Sequence, residues 1–336
     1  MPSRDRLHAI VDGFSGRRVV LYGDLVLDRF VLGAPKRISR EAPVIILRFE
    51  GQRDIPGGGA NALANIASLG GVAVPVGVVG DDEAGHALLA ALRGRGIDVG
   101  SILIAPGFRT VTKVRIVAGG PSSLKHQVAR YDIEDRLAGN DRRLRRVIAA
   151  LAEAGGGAAA AAVSDYGYGV VGRAGIAALR AAMPAGAPLV LDSRFALANL
   201  VGVDGATPNL EELAAAAGRE LVTDQDVVAA AEALRRRMGC RFLVATRGSQ
   251  GSTLVEEGRP PVHLPVYGSD QVADVTGAGD TVLATLTLAM AVGASPLEAA
   301  TLANLAGGIV VTKLGTATVS AAELRRAIDL APILDD

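Results

Sequence analysis

Only one cysteine, Cys240, occurs in 336 residues. An intrachain disulfide is therefore impossible, and so is a thiolate metal cluster. The four histidines, His8, His86, His126 and His263, are scattered with no metal-ligand spacing, which suits surface or core roles. An excess of one charge is also lacking, since 35 Lys plus Arg balance 35 Asp plus Glu. No global field recruits nucleic acid or anionic lipid, so any handling of phosphate must be local. Long apolar runs are missing too. The longest, near 157–163 and 281–292, fall short of the roughly 20 residues that a membrane helix needs. The charged opening MPSRDRLHAIVDGFSGRR has no apolar core of a signal peptide. These absences lead to the expectation of a cytoplasmic protein with neither membrane nor nucleic-acid partners. No GxxxxGK(S/T) loop occurs, and GDLVLD stands where a dinucleotide-binding GxGxxG would follow the first strand. A P-loop is excluded, and a Rossmann dehydrogenase is disfavoured.

What is present is a large apolar fraction, 49%, enough to bury a substantial core in one large domain or two ordinary ones. RRVVLYGD, VAVPVGVVG, AAAAVSDYG, PLVLDSR, ATPNLEEL and RFLVATRG repeat one theme: an apolar run stops abruptly at polar residues. Helical patterns such as ANALANIASL (60–69) and DEAGHALLAALRGRG (82–96) lie between them. That alternation predicts a doubly wound, mostly parallel α/β sheet with helices on both faces. Ligands of such sheets bind beyond the carboxyl ends of the strands. Asp24, Asp165, Asp192, Asn209 and Arg247 all fall at that end and are expected to converge on one crevice. Two segments, 30–50 and 109–132, are rich in β-branched residues and lack helical spacing. They read as a small, discontinuous β-sheet lid on a single domain spanning 1–336. DRRLRR (141–146) reads as the exposed face of an amphipathic helix. AGGGAAAAAV (154–163) reads as a loop entering a strand, and Cys240 as a buried residue at a strand entry.

The chemistry centres on ADVTGAGDTVLATLTLAMAVG (273–293). Its glycines permit positive φ and close approach of the backbone to a bulky anion. A helix starting there would aim the N–H groups of Gly277, Ala278 and Gly279 at phosphate oxygens. Asp280, one residue beyond, is either a helix cap or a catalytic base. As a base it would be held ionised, with low basicity, by the helix dipole. GDLVLD (23–28) places Asp24 and Asp28 in an expected loop, and PGGGANALAN (56–65) brings Gly58 and Asn61 to another. Carboxylates and amides of this kind suit the hydroxyls of a polyol, although a turn with a helix cap accounts for each equally well. Lys36, Arg37, Lys113, Arg115 and Arg130 lie in the expected lid strands and Arg194 follows Asp192. Any of them could meet a substrate phosphate, Arg with a planar fork, or be a plain surface charge.

GDLVLD, PGGGANALANIASLGG, VGVVGDDEAG, SDYGYG, TPNLEEL, ATRGSQG, VADVTGAGDT and ANLAGGIVVTKLGT occur in the order found in ribokinase-like (PfkB) sugar kinases. The chain resembles that family over nearly its whole length. GDLVLDRF, RISREAPV and VVTKLGTATVS look most like the branch acting on D-glycero-β-D-manno-heptose 7-phosphate. The resemblance implies a ribokinase-like fold, a lid that often forms a homodimer, ATP and Mg²⁺ as co-substrate and cofactor, and a small sugar or sugar phosphate as acceptor. It implies Asp280 as the base, with Gly277, Ala278 and Gly279 as the anion hole. Asn209 and Glu212 match an N-x-x-E that handles nucleotide phosphates and Mg²⁺ through water. Thr246, Gly248, Gly251 and Asn304 match nucleotide positions; Asp24, Asp28, Gly58 and Asn61 match sugar positions. Arg130 and Arg194 are the candidates for a substrate phosphate. Tyr168 and Asp192-Ser193-Arg194 depart from the heptose branch, which usually has lysine and Asp-Pro-Lys there. The heptose enzymes are often fused to a nucleotidyltransferase domain, for which no room is expected before Asp336. Other kinases of the family, acting on fructose-type phosphates, ribose or nucleosides, and a catalytically silent sugar or nucleotide sensor are the alternatives.

Overall fold

The computed structural model describes residues 2–119, 126–268 and 273–331. Helix α1 (Arg4–Asp12) precedes strand β1 (Arg18–Gly23), and β2 (Leu25–Ile38), β3 (Ile45–Gly58) and α2 (Gly59–Ser68) follow. Next come β4 (Val72–Val76), β5 (Val78–Gly80), α3 (Glu83–Arg93), β6 (Leu103–Ala105), β7 (Thr112–Ala118), β8 (His126–Ile133) and α4 (Arg143–Gly155). The chain continues through β9 (Ala160–Asp165), α5 (Arg173–Ala182), β10 (Leu189–Ser193), β11 (Gly205–Ala206), α6 (Leu210–Ala217), α7 (Asp224–Met238) and β12 (Phe242–Thr246). It ends with β13 (Ser252–Glu256), β14 (Val262–Leu264), α8 (Ala278–Ala291), α9 (Pro296–Val310) and α10 (Ala321–Leu330).

The main sheet has the order β14-β13-β12-β11-β10-β9-β1-β4. Its strands from β12 to β4 run parallel, and β13 and β14 close one edge by antiparallel pairing. Both faces are covered, so the strands read as unbroken apolar runs. Alternation along β1 shows the two layers directly. Val19 and Leu21 join the core built with α1, α2, α8 and α9, whereas Val20 and Tyr22 join the core built with α4, α5 and α7. The doubly wound reading therefore holds.

A second sheet, ordered β3-β2-β7-β8, stands on the carboxyl ends of the first. Its strands begin earlier and end later than expected from 30–50: β2 starts at Leu25, with only Asp24 separating it from β1, and β3 runs to Gly58. GDLVLD is thus a strand crossing and not a loop, because Asp24 pairs its N–H with Ser164 O while its own carbonyl accepts from Gly59 N. Asn61 likewise sits in α2, not in a loop. The expected stretch 109–132 holds β7 and most of β8, and its residues 120–125 lie outside the described ones. VAVPVGVVG is two strands, since β4 belongs to the main sheet while β5 pairs with β6 in a third, two-stranded sheet. Cys240 is buried just before β12, as expected. Among the described residues no helix is long and apolar enough to cross a membrane.

Candidate active site

Helix α8 opens at Gly277, whose φ of +83° puts it in the left-handed region. A Cβ there would lie 2.6 Å from Asn61 Nδ2, while one at Gly279 would meet only open space. Glycine at 277 is thus required both by backbone conformation and by the approach of α2. The N–H groups of Gly277, Gly279 and Asp280 have no protein acceptor among the described residues. Ala278, expected as a third donor alongside the two glycines, instead turns its N–H to Val275 O at 3.3 Å. The free donors at a helix start remain a ready anion site.

Asp280 lies one turn into that site and is 2% exposed. Both of its oxygens are held. Tyr166 Oη donates to Oδ1 at 2.8 Å, and Asn61 Nδ2 donates to Oδ2 at 3.1 Å. Asn61 is itself fixed, because its side-chain oxygen accepts from Asn65, whose own oxygen accepts from Val319 N. Burial pushes the Asp280 carboxyl up to about 6, with the charge of Asp28 adding; the two hydrogen bonds and Lys113 act in the opposite direction. The expectation of a weakly basic group is therefore corrected, since desolvation outweighs the hydrogen bonds and the lysine that favour the charged form. A carboxylate titrating near 6 is still ionised at neutral pH and is a better base.

Around Asp280 lies a cavity of about 320 Å³ lined by Asp28, Gly58, Lys113, Arg115, Arg130, Asp192, Arg194, Asn209 and Glu212, among others. Asp28 is buried and fully engaged, with Arg115 Nη1 at 2.5 Å on one oxygen and Thr316 Oγ1 at 2.7 Å on the other. Arg115 thus engages Asp28 through Nη1 while still lining the cavity. Lys36 and Arg37 are exposed at the far end of β2, away from the cavity lining. Asp24, placed among sugar contacts by sequence, does not line the cavity. Its buried Oδ2 accepts from the backbone N–H of Tyr166 (2.8 Å) and Tyr168 (3.2 Å), so it shapes the loop after β9. Arg247 also fails to converge, pairing with Asp224 and Gln250 outside the cavity.

Asn209 and Glu212 form the capping box of α6: Asn209 Oδ1 accepts from Glu212 N and Glu212 Oε2 accepts from Asn209 N, both at 2.9 Å. Both residues also line the cavity, so the cap and the site are one structure. Burial raises the Glu212 carboxyl above its ordinary range. Asp192 is raised well above it, first by burial and then by the charges of Glu212 and Asp280.

Two further cavities adjoin this one. Thr246, Val275 and Gly279 are shared with a mostly apolar cavity of about 290 Å³, which also takes in Gly248, Gly251, Ala300, Asn304 and Val311. Asn304 points its amide at Pro265 O, 2.7 Å away. On the other side, Lys113, Arg130, Tyr166 and Arg194 are shared with a cavity of about 540 Å³ reaching Tyr168 and Phe195. Arg130 carries a bidentate pair with Asp132. Tyr168 donates its phenol to Glu134 at 2.8 Å.

Sequence reasoning missed Tyr166. Its signal was its place directly after Asp165, at the carboxyl end of β9, where polar side chains enter the crevice. Lys113 Nζ and the Arg194 guanidinium both lie over its ring, 4.9 and 4.8 Å from the centroid.

A carboxylate at a glycine-opened helix start, adjoined by an apolar cavity and by a charged one lined by Lys113, Arg130, Arg136 and Arg194 together with Asp132, Glu134 and Asp135, fits a phosphotransferase. The profile of the pfkB family carbohydrate kinases matches residues 17–323. The chain belongs to the pfkB family of carbohydrate kinases. Among its curated relatives, bifunctional protein HldE of Caulobacter vibrioides is 41% identical over 327 residues, 95% of this chain and 65% of the relative. HldE of Mesorhizobium japonicum is 40% identical over 336 residues, again covering 65% of that protein. The kinase thus spans just under two thirds of the curated relatives it matches. Escherichia coli phosphofructokinase-2, solved with potassium, superposes with a TM-score of 0.74 at 22% identity, covering 94% of this chain and 99% of that one. Arabidopsis thaliana ribokinase, solved with ribose and ATP, gives 0.66 at 21% identity, with coverage of 96% and 99%. At these identities the two structures show a shared fold.

The kinase's residues also fit Mg²⁺. Glu212 keeps one oxygen outside its capping bond, and its charge helps to raise the proton affinity of Asp192. A hard divalent ion that keeps most of its water would relieve that repulsion. Among the described residues there is no cluster of three or more metal-ligating side chains, so the ion would be held chiefly through water and phosphate oxygens.

Proposed function

We propose that this kinase transfers the γ-phosphoryl group of ATP to a hydroxyl of a phosphorylated sugar, with D-glycero-β-D-manno-heptose 7-phosphate as substrate and its 1-hydroxyl as acceptor. One observation carries the reading. Lys113, Arg130 and Arg194 line the central cavity and the charged one adjoining it, and none of them lines the apolar cavity, so a phosphate on the far end of an acceptor sugar would lie among them. The resemblance to the heptose branch and the HldE relatives support the choice of sugar.

Asp28 and Gly58 would bound the sugar, whereas Asn61, buried and outside the cavity lining, would act through the carboxylate that it grips. Asp280 accepts the proton of the acceptor hydroxyl as its oxygen attacks the γ-phosphorus in line. The N–H groups of Gly277 and Gly279 receive the equatorial oxygens of the migrating group, the electrostatic work that such transfer mostly requires. Thr246, Gly248, Gly251 and Asn304 hold the nucleotide in the apolar cavity, while Asn209 and Glu212 face its phosphates. Mg²⁺, held through water at Glu212, would supply charge neutralisation of those phosphates. The small sheet excludes water over the crevice.

The same reading includes a cytoplasmic homodimer through the small sheet. Ile38 and Phe49 are 71% and 67% exposed there, and Val128 and Tyr131 are also open to solvent. Such a concentration of exposed apolar side chains marks an interaction surface. Following ADP release over free and phosphorylated heptoses, fructose 6-phosphate and ribose tests the reading. Turnover of heptose 7-phosphate with little on the unphosphorylated sugar is the expected result; preference for an unphosphorylated sugar would overturn it.

A further inference from the structure

Tyr166 is a junction of three parts of the molecule. It belongs to the loop after β9, its phenol reaches Asp280 on α8, and its ring underlies Lys113 of β7 and Arg194 beyond β10. Its backbone is tied down by the Asp24 carboxylate. The ring is thus shared by a cation of the small sheet and a cation of the main domain, at the boundary of the central and charged cavities. Cation–π contacts of this kind are worth about 0.5–2 kcal/mol and are sensitive to what else the cation binds.

We propose that Tyr166 is a positioning residue that couples recognition of the substrate's phosphate to the catalytic base: the ring seats Lys113 and Arg194 while the hydroxyl orients Asp280. This rests on the reading of Asp280 as base. The phenol stabilises the ionised carboxylate by donating to Oδ1, so the carboxylate presents itself in one orientation and with one strength. The other groups facing Asp280 are Asn61 of α2, Asp28 of β2, Lys113 of β7, and Asp192 and Arg194 at the end of β10. Among them, Asn61 alone shares with Tyr166 a direct hydrogen bond to the carboxylate. A residue that touches both the base and the phosphate-facing cations lets the right substrate tighten the site in which it reacts.

Two substitutions separate the roles of ring and hydroxyl. Tyr166→Phe keeps the ring and loses the donor, so kcat should fall by about tenfold or more, as for loss of a positioning hydrogen bond. The acid limb of its kcat profile should move to higher pH, while KM for the sugar phosphate stays within about twofold, the hydroxyl serving the base and not binding. Tyr166→Leu removes both functions, and KM for the phosphorylated sugar should rise as well. Substrate and ATP phosphates titrate identically in every variant, so a shift of the limb between enzymes belongs to the protein. Site-specific 3-fluorotyrosine at 166, a stronger donor in an almost unchanged volume, should move the limb to lower pH and serves if a variant folds poorly. Wild-type kcat with an unmoved limb in Tyr166→Phe, or an unmoved limb with the fluorinated residue, would overturn the proposal. An inactive wild-type chain would instead defeat the kinase reading itself, so the two failures are distinguishable.

Discussion

Asn61 and Asp280, 219 residues apart in the chain, are joined by a hydrogen bond of 3.1 Å inside a site where the carboxylate is almost wholly buried. The bond ties the start of α2 to the start of α8. It fixes the carboxylate beside the free N–H groups of the glycine turn, where a migrating phosphoryl group would sit.

Asp280→Asn removes the proton acceptor and keeps the shape. The expected result is a kcat lower by about 10²-fold or more, typical of acid–base loss, with nucleotide affinity nearly unchanged. Coupled ADP-release kinetics alongside calorimetric titration with ATP check it; a fully active Asn enzyme would be incompatible with the assignment.

Gly277→Ala places a methyl group 2.6 Å from Asn61 Nδ2 at a φ of +83°. Either α2 yields, loosening the grip on Asp280, or the turn changes and its N–H groups move. Thermal melting should drop, with a cost on the order of 1–3 kcal/mol for a strained non-glycine backbone, and kcat should fall together with it. The control is Gly279→Ala, whose Cβ meets nothing within 4 Å. It should leave melting nearly unchanged while still obstructing the transferring group.

Arg194→Met abolishes a guanidinium that lines the central and charged cavities. Discrimination between a phosphorylated sugar and its unphosphorylated form should shrink by about 10- to 100-fold, the scale of one lost charge-assisted contact. The ratio of kcat/KM values for the two acceptors measures this directly. An unchanged ratio would remove Arg194 from phosphate recognition.

Asp24 carries a pH signature of folding. Burial first, and the charge of Asp165 second, push its carboxyl up to about 6, while backbone N–H donors of the Tyr166 loop act the other way. The folded state therefore binds this proton more tightly than the unfolded chain, whose carboxylate keeps an ordinary value near 3.8. Its contribution improves as pH falls from above 6 towards 4, and above 6 the buried charge costs stability. The difference in melting temperature, Asp24→Asn minus wild type, should accordingly increase as pH is raised from 5 to 8. A difference that is flat with pH would show that Asp24 keeps its ordinary titration in the fold.

The glycine-opened helix, the carboxylate behind it and the polar strand ends were legible because each depends on a few consecutive residues. VTGAGD is a helix start whatever surrounds it, and alternating apolar runs separated by helical patterns leave little choice of sheet. The capping box of Asn209 and Glu212 is equally local. Relationships between distant segments were not legible. Nothing in GDLVLD says that Asp28 will be claimed by Arg115 of β7, or that Asp24 will turn to the backbone of residues 166 and 168. The basicity of Asp280 was misjudged for the same reason: the dipole of its own helix is visible in the sequence, whereas the neighbours that bury it are not. SDYGYG looked like a strand end with a missing lysine, and only the folded chain shows its first tyrosine holding the carboxylate.

The neck between the two sheets has a mechanical consequence. At this crossing a single residue, Asp24, joins β1 to β2, and β3 passes into α2 without a loop, the two passages being clamped by the bond from Gly59 N to Asp24 O. A cover attached this way has no slack at its root. Tilting it would lever the opening turn of α2, and with it the Asn61 amide that grips Asp280, so the posture of the cover and the orientation of that carboxylate are geared to one another.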